Sequence, residues 1–150
     1  MRLLIQRVRS ASVDIDGRRF SEIGAGLLVF VGVGTDDTPE DAEYLAGKLV
    51  RLRIFDDQAG VMNLDVAQIG GQVLAVSQFT LLASTRKGNR PSYVRAAPEA
   101  ISKPLYESFV RRVEELLGRK VPTGRFGAEM QVSLVNDGPA TIWMDSKNRE

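Results

Sequence analysis

The 150-residue chain contains neither cysteine nor histidine, and the two absences exclude more chemistry than any motif supplies. Without cysteine there is no disulfide framework, no thiolate nucleophile, no iron–sulfur ligation and no cysteine zinc site. Without histidine the usual general base, the third member of a Ser-His-Asp triad and the commonest metal ligand are missing. A hydrolase built from this sequence works through carboxylates, hydroxyls, backbone dipoles or a group that its substrate brings; no metal and no cofactor is expected. Long apolar runs are also lacking. The opening residues 1–13 are broken by Arg2, Arg7 and Arg9, so neither a signal peptide nor a membrane span is read there. The expectation is a soluble cytoplasmic protein with no membrane partner.

What is present suffices for a core. Hydrophobic residues make up 43% and charged residues 26%, which sets the chain apart from disordered compositions. The length suits one domain over residues 1–150. Twenty cations against 19 anions leave a net charge of +1, which by itself points to no nucleic-acid partner. Distribution says more. Fifteen cations are arginine and five lysine, a bias toward planar, forked donors that suit phosphates and interface pairs. No acidic residue lies between Asp65 and Glu99, whereas Arg86, Lys87, Arg90 and Arg95 all fall in that stretch. The loop is either a phosphate-facing surface or a solvated counterweight to Asp36, Asp37, Glu40, Asp41 and Glu43.

Residues 3–15 interleave Leu, Ile and Val with polar residues, and with residues 18–23 they read as antiparallel strands joined by a tight Asp16-Gly17 turn. Residues 27–33 are almost continuously apolar, the pattern of a strand covered on both faces. Thr38, Pro39 and Asp41 signal a helix start, and Tyr44, Leu45, Lys48, Leu49 and Leu52 continue at helical spacing to an end near Leu52. Residues 53–55 are a short strand candidate, 56–60 a turn and 73–82 a strong strand. The loop over 83–97 is long enough to suggest function. A second helix carries Ile101, Leu105, Phe109, Val113 and Leu116 and stops at Gly118. Residues 130–135 and 140–144 look like strands flanking Asn136-Asp137-Gly138-Pro139. This order predicts an α+β fold with a mixed, largely antiparallel sheet curling around one core, and two main helices.

Gly32-Val33-Gly34-Thr35 lacks the third glycine of a dinucleotide loop and the Gly-Lys-Ser/Thr of a phosphate loop. The pairs Asp36-Asp37 and Asp56-Asp57 read as solvated turn and cap residues. Ser77-Gln78-Phe79-Thr80 puts three polar side chains at the end of an apolar strand. They are either its outward face or a polar group beside the basic loop, where burial would demand partners. Asn136-Asp137-Gly138-Pro139 is either a plain turn or a cis-proline geometry that aims two carbonyl groups the same way.

Ser77-Gln78-Phe79-Thr80-Leu81, then Lys87-Gly88-Asn89-Arg90-Pro91-Ser92-Tyr93, then Asn136-Asp137-Gly138-Pro139-Ala140-Thr141 resemble, in this order, the signature of the D-aminoacyl-tRNA deacylases. The opening residues 1–17, with Gln6-Arg7-Val8 and Ser12-Val13, also fit, so the likeness covers essentially the whole chain. The resemblance implies a homodimeric hydrolase of α/β barrel-like fold. Its substrate would be the ester between a D-amino acid, or glycine mischarged on tRNA-Ala, and the terminal adenosine of tRNA, a chiral proofreading step. It implies that Ser77, Gln78, Phe79 and Thr80 line the catalytic pocket. It implies that Gly138 and Pro139, joined by a cis bond and braced by Arg7, enter the partner subunit's pocket and reject L-residues. Phe126 and Met130 would pack the terminal adenine, and Lys87 and Arg90 would bind substrate from the basic loop. The implied partners are the tRNA acceptor end and a second copy of the chain, with no DNA and no cofactor. The near-neutral charge then confines RNA contact to local cations, which predicts a shallow salt dependence of affinity.

An aminoacyl ester is already activated, so catalysis has to position water and stabilise an oxyanion more than to generate a strong nucleophile. Thr80 as a covalent nucleophile would need a nearby base, and no histidine exists to serve. The ribose hydroxyl beside the ester is the better candidate. The expectation is substrate-assisted hydrolysis, with backbone amides around Phe79 and Thr80 as oxyanion donors and Gln78 and Ser77 as positioning groups. The alternative from another class is a non-catalytic RNA-binding module of the same fold.

Overall fold

The structure, a computed structural model, describes all 150 residues. The interleaved start becomes β1, Arg2–Ile15. Asp16 and Gly17 both take positive φ, 51° and 73°, the backbone of a two-residue hairpin whose twist matches its strands, and the chain returns as β2, Arg18–Ile23. The apolar run forms β3, Gly26–Gly32, antiparallel to β1. Thr38 and Asp41 close a capping box at the start of α1, Pro39–Val50, where the Thr38 N–H donates to Asp41 Oδ2 at 2.8 Å. A small hairpin follows, β4 Phe55–Asp56 and β5 Met62–Leu64. Next comes β6, Gln72–Ser77, parallel to β3. After a 3-10 turn at Phe79–Leu82 and a long loop, α2 spans Glu99–Leu117 and is capped by Gly118 at φ 68°. The last strand, β7, Gln131–Asp145, runs antiparallel along the free side of β1.

The main sheet is therefore mixed and largely antiparallel, in the order β2-β1-β3-β6 with β7 beside β1. Successive strand residues point to opposite faces. Leu27, Val29 and Val31 pack toward Leu45, Leu49, Phe109 and Val113 of the helices. On the other face, Leu28, Leu74 and Val76 are covered by Met130, Val132 and Leu134. β1 serves both cores: Leu3 and Ile5 belong to the helix side, Ala11, Val13 and Ile15 to the opposite side. Its alternation changes phase across the exposed pair Arg9 and Ser10, where the register with β7 also shifts. Such irregularities bend a strand and increase its twist, and here they curl the sheet. The α+β architecture with a curled mixed sheet and two helices is the one the sequence predicts.

Several boundaries differ. α1 ends at Val50, two residues before Leu52. The short strand starts at Phe55, and its partner β5 carries too few apolar residues to announce itself. The expected strand 73–82 stops at Ser77, after which the backbone tightens into the 3-10 turn. In α2, Ile101 and Leu116 are exposed, while Ser102, Tyr106 and Val110 join Leu105, Phe109 and Val113 on the buried face. Three successive steps of four drift off a 3.6-residue stripe, which turns Ile101 to solvent, whereas Leu116 is exposed in the last turn of the helix. Asp37 is not a solvated turn residue. Its carboxylate is buried, accepts from the Gly34 N–H at 2.6 Å and pairs with the Met1 ammonium.

Candidate active site

β3 and β6 end side by side, with Val31 opposite Ser77. The last ladder bond is the Gln78 N–H to the Val31 carbonyl at 2.7 Å; beyond it the chain turns over β3. Gly32 permits that crossing, because a Cβ there would stand 2.7 Å from Leu82 Cδ2 and 3.0 Å from the Gln78 carbonyl. The turn leaves Ser77, Gln78 and Phe79 on the rim of a cleft of about 270 Å³. Val31, Val33 and Val76 form part of its apolar wall; Phe126 and Met130 line it from the segment that leads into β7. Ser102 and Tyr106 of α2 also line it.

Four of the sequence-derived residues thus meet Phe79 around one cavity: Ser77, Gln78, Phe126 and Met130. Thr80 does not line it; its Oγ1 accepts a hydrogen bond from Gln78 Nε2 at 2.5 Å. Phe79 is 57% exposed and meets the Tyr93 ring edge-on, 5.0 Å between centres. Tyr93 follows the basic loop, which is closed by paired bonds between Ser84 and Ser92 at 2.8 and 2.9 Å. Lys87 and Arg90 sit in that exposed loop, outside the cleft wall.

No carboxylate, lysine or arginine lines the cleft, and Tyr106 is its one titratable side chain. Burial, aided by the nearby Glu107 charge, pushes the Tyr106 phenol far above its ordinary pKa. Its hydroxyl donates to the Ala75 carbonyl at 3.1 Å. The cavity therefore offers neutral hydroxyls, an amide and aromatic surface, and no group of the chain that takes up a proton near neutral pH. Sequence reasoning missed Ser102 and Tyr106. Their signal was present as polar atoms one position after Ile101 and Leu105, on the helix face that carries Phe109 and Val113.

Gly138, Pro139 and Arg7 form a second locality. Gln6 pairs with Thr141 and Val8 with Asn136, so residues 137–140 bulge out of β7 opposite Arg7 alone. The expected turn is not a chain reversal, because both halves of β7 continue along the same partner. The Gly138-Pro139 peptide is cis. The base of the bulge is stapled by Asn136, whose Oδ1 accepts from the Ala140 N–H at 3.1 Å and whose Nδ2 donates to Thr141 Oγ1 at 2.9 Å. Buried Arg7 donates from Nε to the Asp137 carbonyl at 2.9 Å and from Nη1 to the Ile54 carbonyl at 2.6 Å. None of the three residues lines the cleft of its own chain.

Comparison with known structures first gives the class. The fold is that of a solved structure described as "Structural Analysis of a probable eukaryotic D-amino acid tRNA deacylase", at 17% identity, a TM-score of 0.82 and coverage of 95% of this chain and 97% of the other. A second solved structure, "c-Myc DNA Unwinding Element Binding Protein", is 36% identical with a TM-score of 0.92 over 97% of this chain and 98% of that one. The model of the D-Tyr-tRNA(Tyr) deacylase family matches residues 4–145. The chain belongs to that family and is a hydrolase acting on ester bonds. The D-aminoacyl-tRNA deacylase of Chromobacterium violaceum is 57% identical over all of both chains. That of Dechloromonas aromatica is 57% identical over 98% of each. Neither helix is long and apolar enough to cross a membrane.

Proposed function

We propose that this chain hydrolyses the ester joining a D-amino acid, or glycine mischarged on tRNA-Ala, to the terminal adenosine of tRNA, with water activated by the ribose 2′-hydroxyl. One observation carries the mechanism: the cleft contains no base. In keeping with it, the Thr80 hydroxyl is held by an amide N–H that cannot accept its proton. The vicinal hydroxyl of RNA is then the group best placed to assist. The first N–H groups of a helical turn lack partners within it, so those of Phe79 and Thr80 are available as oxyanion donors. Gln78 and Ser77 position the ester. The adenine lies against Phe126 and Met130, and Lys87 and Arg90 reach the RNA from their loop.

Chiral rejection is assigned to Gly138 and Pro139 acting across a homodimer, with Arg7 as their brace. The separation of this bulge from the cleft of its own chain supports a shared site, since a second copy is what could bring the two together. Exposed aromatic surface supports the same reading. Trp143 is 50% exposed and lies beside the 3-10 turn, because Arg2 stacks on its ring at 5.5 Å and donates to the Leu81 carbonyl at 2.8 Å.

Release of free amino acid from D-tyrosyl-tRNA but not from L-tyrosyl-tRNA is the expected result. A second reading, nucleic-acid binding in addition to the hydrolysis, takes its support from the name of the 36% identical structure, which describes that protein as binding a DNA unwinding element. Retention of a DNA duplex at the affinity of tRNA would support it.

A further inference from the structure

Phe126 lines the cleft, while its neighbour Arg125 opens on a separate basin of about 440 Å³ at the β1–β2 hairpin, with Ile15, Asp16, Arg18, Arg19 and Phe20. The segment that presents both residues is fixed. Ser21 Oγ donates to the Thr123 carbonyl at 2.7 Å, the Gly124 N–H to the Ala75 carbonyl at 3.0 Å and the Ala128 N–H to the Arg125 carbonyl at 3.1 Å. In the basin the Phe20 ring is about half exposed, and the Arg125 guanidinium lies 5.8 Å from its centre. Arg19 is committed to Asp14 and Glu22, at 2.7 and 2.5 Å. Arg18 and Arg125 enter no ion pair, and Asp16 is the one carboxylate of the basin.

We propose that this basin binds the nucleotide immediately 5′ to the terminal adenosine, its base stacked on Phe20 and its phosphate held by Arg125 and Arg18. The proposal rests on the deacylase reading above. With adenine against Phe126, the strand leaves the cleft at that residue, and the cations next along the wall are unpaired. An aromatic face flanked by free guanidinium groups is the general arrangement for single-stranded nucleic acid. Arg125 also borders a basin beside Tyr106, but two carboxylates, Glu107 and Glu114, line that basin along with Lys103 and Arg111, which disfavours a phosphate.

Steady-state kinetics on two substrates test it: D-tyrosyl-tRNA, and D-tyrosyl-adenosine, which lacks the preceding nucleotide. Phe20→Ala and Arg125→Ala are each expected to raise KM for the tRNA about fivefold to tenfold. Arg125→Ala should also lower the log–log salt slope of tRNA binding by about 0.7, the value for one phosphate contact on a single strand, and Arg125→Lys should restore it. Unchanged hydrolysis of D-tyrosyl-adenosine by these variants completes the expected result and shows that they fold. Equal losses on both substrates, or no loss on the tRNA, would overturn the basin while leaving the deacylase reading intact. A wild-type protein that cleaves neither substrate removes both.

Discussion

The cleft and the bulge of β7 use polar chemistry in opposite ways. Around the cleft, hydroxyls, an amide and aromatic rings surround about 270 Å³ without an ionisable base. At the bulge, a buried guanidinium spans two main-chain carbonyls of distant segments, Asp137 and Ile54. Charge at the bulge holds backbone shape, and the wall of the cleft, where an ester would sit, carries none. A charged group in the cleft would need a partner to offset its desolvation. A substrate that carries its own hydroxyl makes such a group unnecessary.

The sharpest way to break this contrast is to remove the substrate's group. A D-aminoacyl-tRNA ending in 2′-deoxyadenosine, with the amino acid on the 3′ oxygen, is expected to lose about a thousandfold or more in kcat, the scale of a missing proton-transfer partner together with its positioning. Single-turnover kinetics measure it, and unimpaired turnover would return the chemistry to the protein.

At the bulge, Gly138→Ala places a methyl 2.7 Å from Arg7 Nη2 on a backbone at φ 129°, which L-residues rarely adopt. The same locality loosens in Arg7→Ala, which leaves two carbonyls without donors at a cost of about 2–4 kcal/mol. Both variants should raise L-aminoacyl-tRNA hydrolysis relative to the D-substrate by about tenfold or more, read as a ratio of kcat/KM values. Stereoselectivity equal to that of the parent would separate the bulge from chiral choice.

Within the cleft the contrast predicts a small effect. Thr80→Ala removes the acceptor of the Gln78 amide and should slow turnover less than about tenfold, as expected for a lost positioning hydrogen bond. A collapse comparable to that of the deoxy substrate would make Thr80 the nucleophile after all.

The smallest expected effect concerns pH. Burial alone would raise the Asp41 pKa, but hydrogen bonds from Lys147, Ser146 and Thr38 outweigh it and hold the carboxyl well below its usual range. A depressed carboxyl contributes stability above its unfolded pKa of about 4, and that contribution is lost as pH falls toward the folded value. Asp41→Asn should therefore cost about 1–2 kcal/mol at pH 7, and its deficit against the parent should shrink on acidification in denaturant titrations. A deficit constant from pH 7 to pH 2 would remove the charge from the account.

Much of this was legible in residue order. Asp16-Gly17, the capping box of Thr38 and Asp41, and the run behind β3 are local signals whose physics acts within a few residues, and each stands where it was read. The 3-10 turn was not legible, because residues 78–82 keep an apolar pattern compatible with a strand and are diverted by crossing Gly32, 46 positions upstream of Gln78. Ser77, Gln78, Phe126 and Met130 were named from motif resemblance, and their meeting around one cavity depends on β6, α2 and the lead into β7 converging. Ser102 and Tyr106 went unread in the sequence, because what sets them apart is the cavity beside them.

By itself, the sequence determined which chemistries are closed, through the missing thiols and imidazoles, and where strands and helices begin, through short-range backbone preferences. Only the tertiary structure decided that the cleft lacks a base, that Thr80 is tied to Gln78, and that Arg7 clasps a bulge far along the chain. These are consequences of burial and of contacts between distant segments, and no local pattern encodes which groups water can still reach.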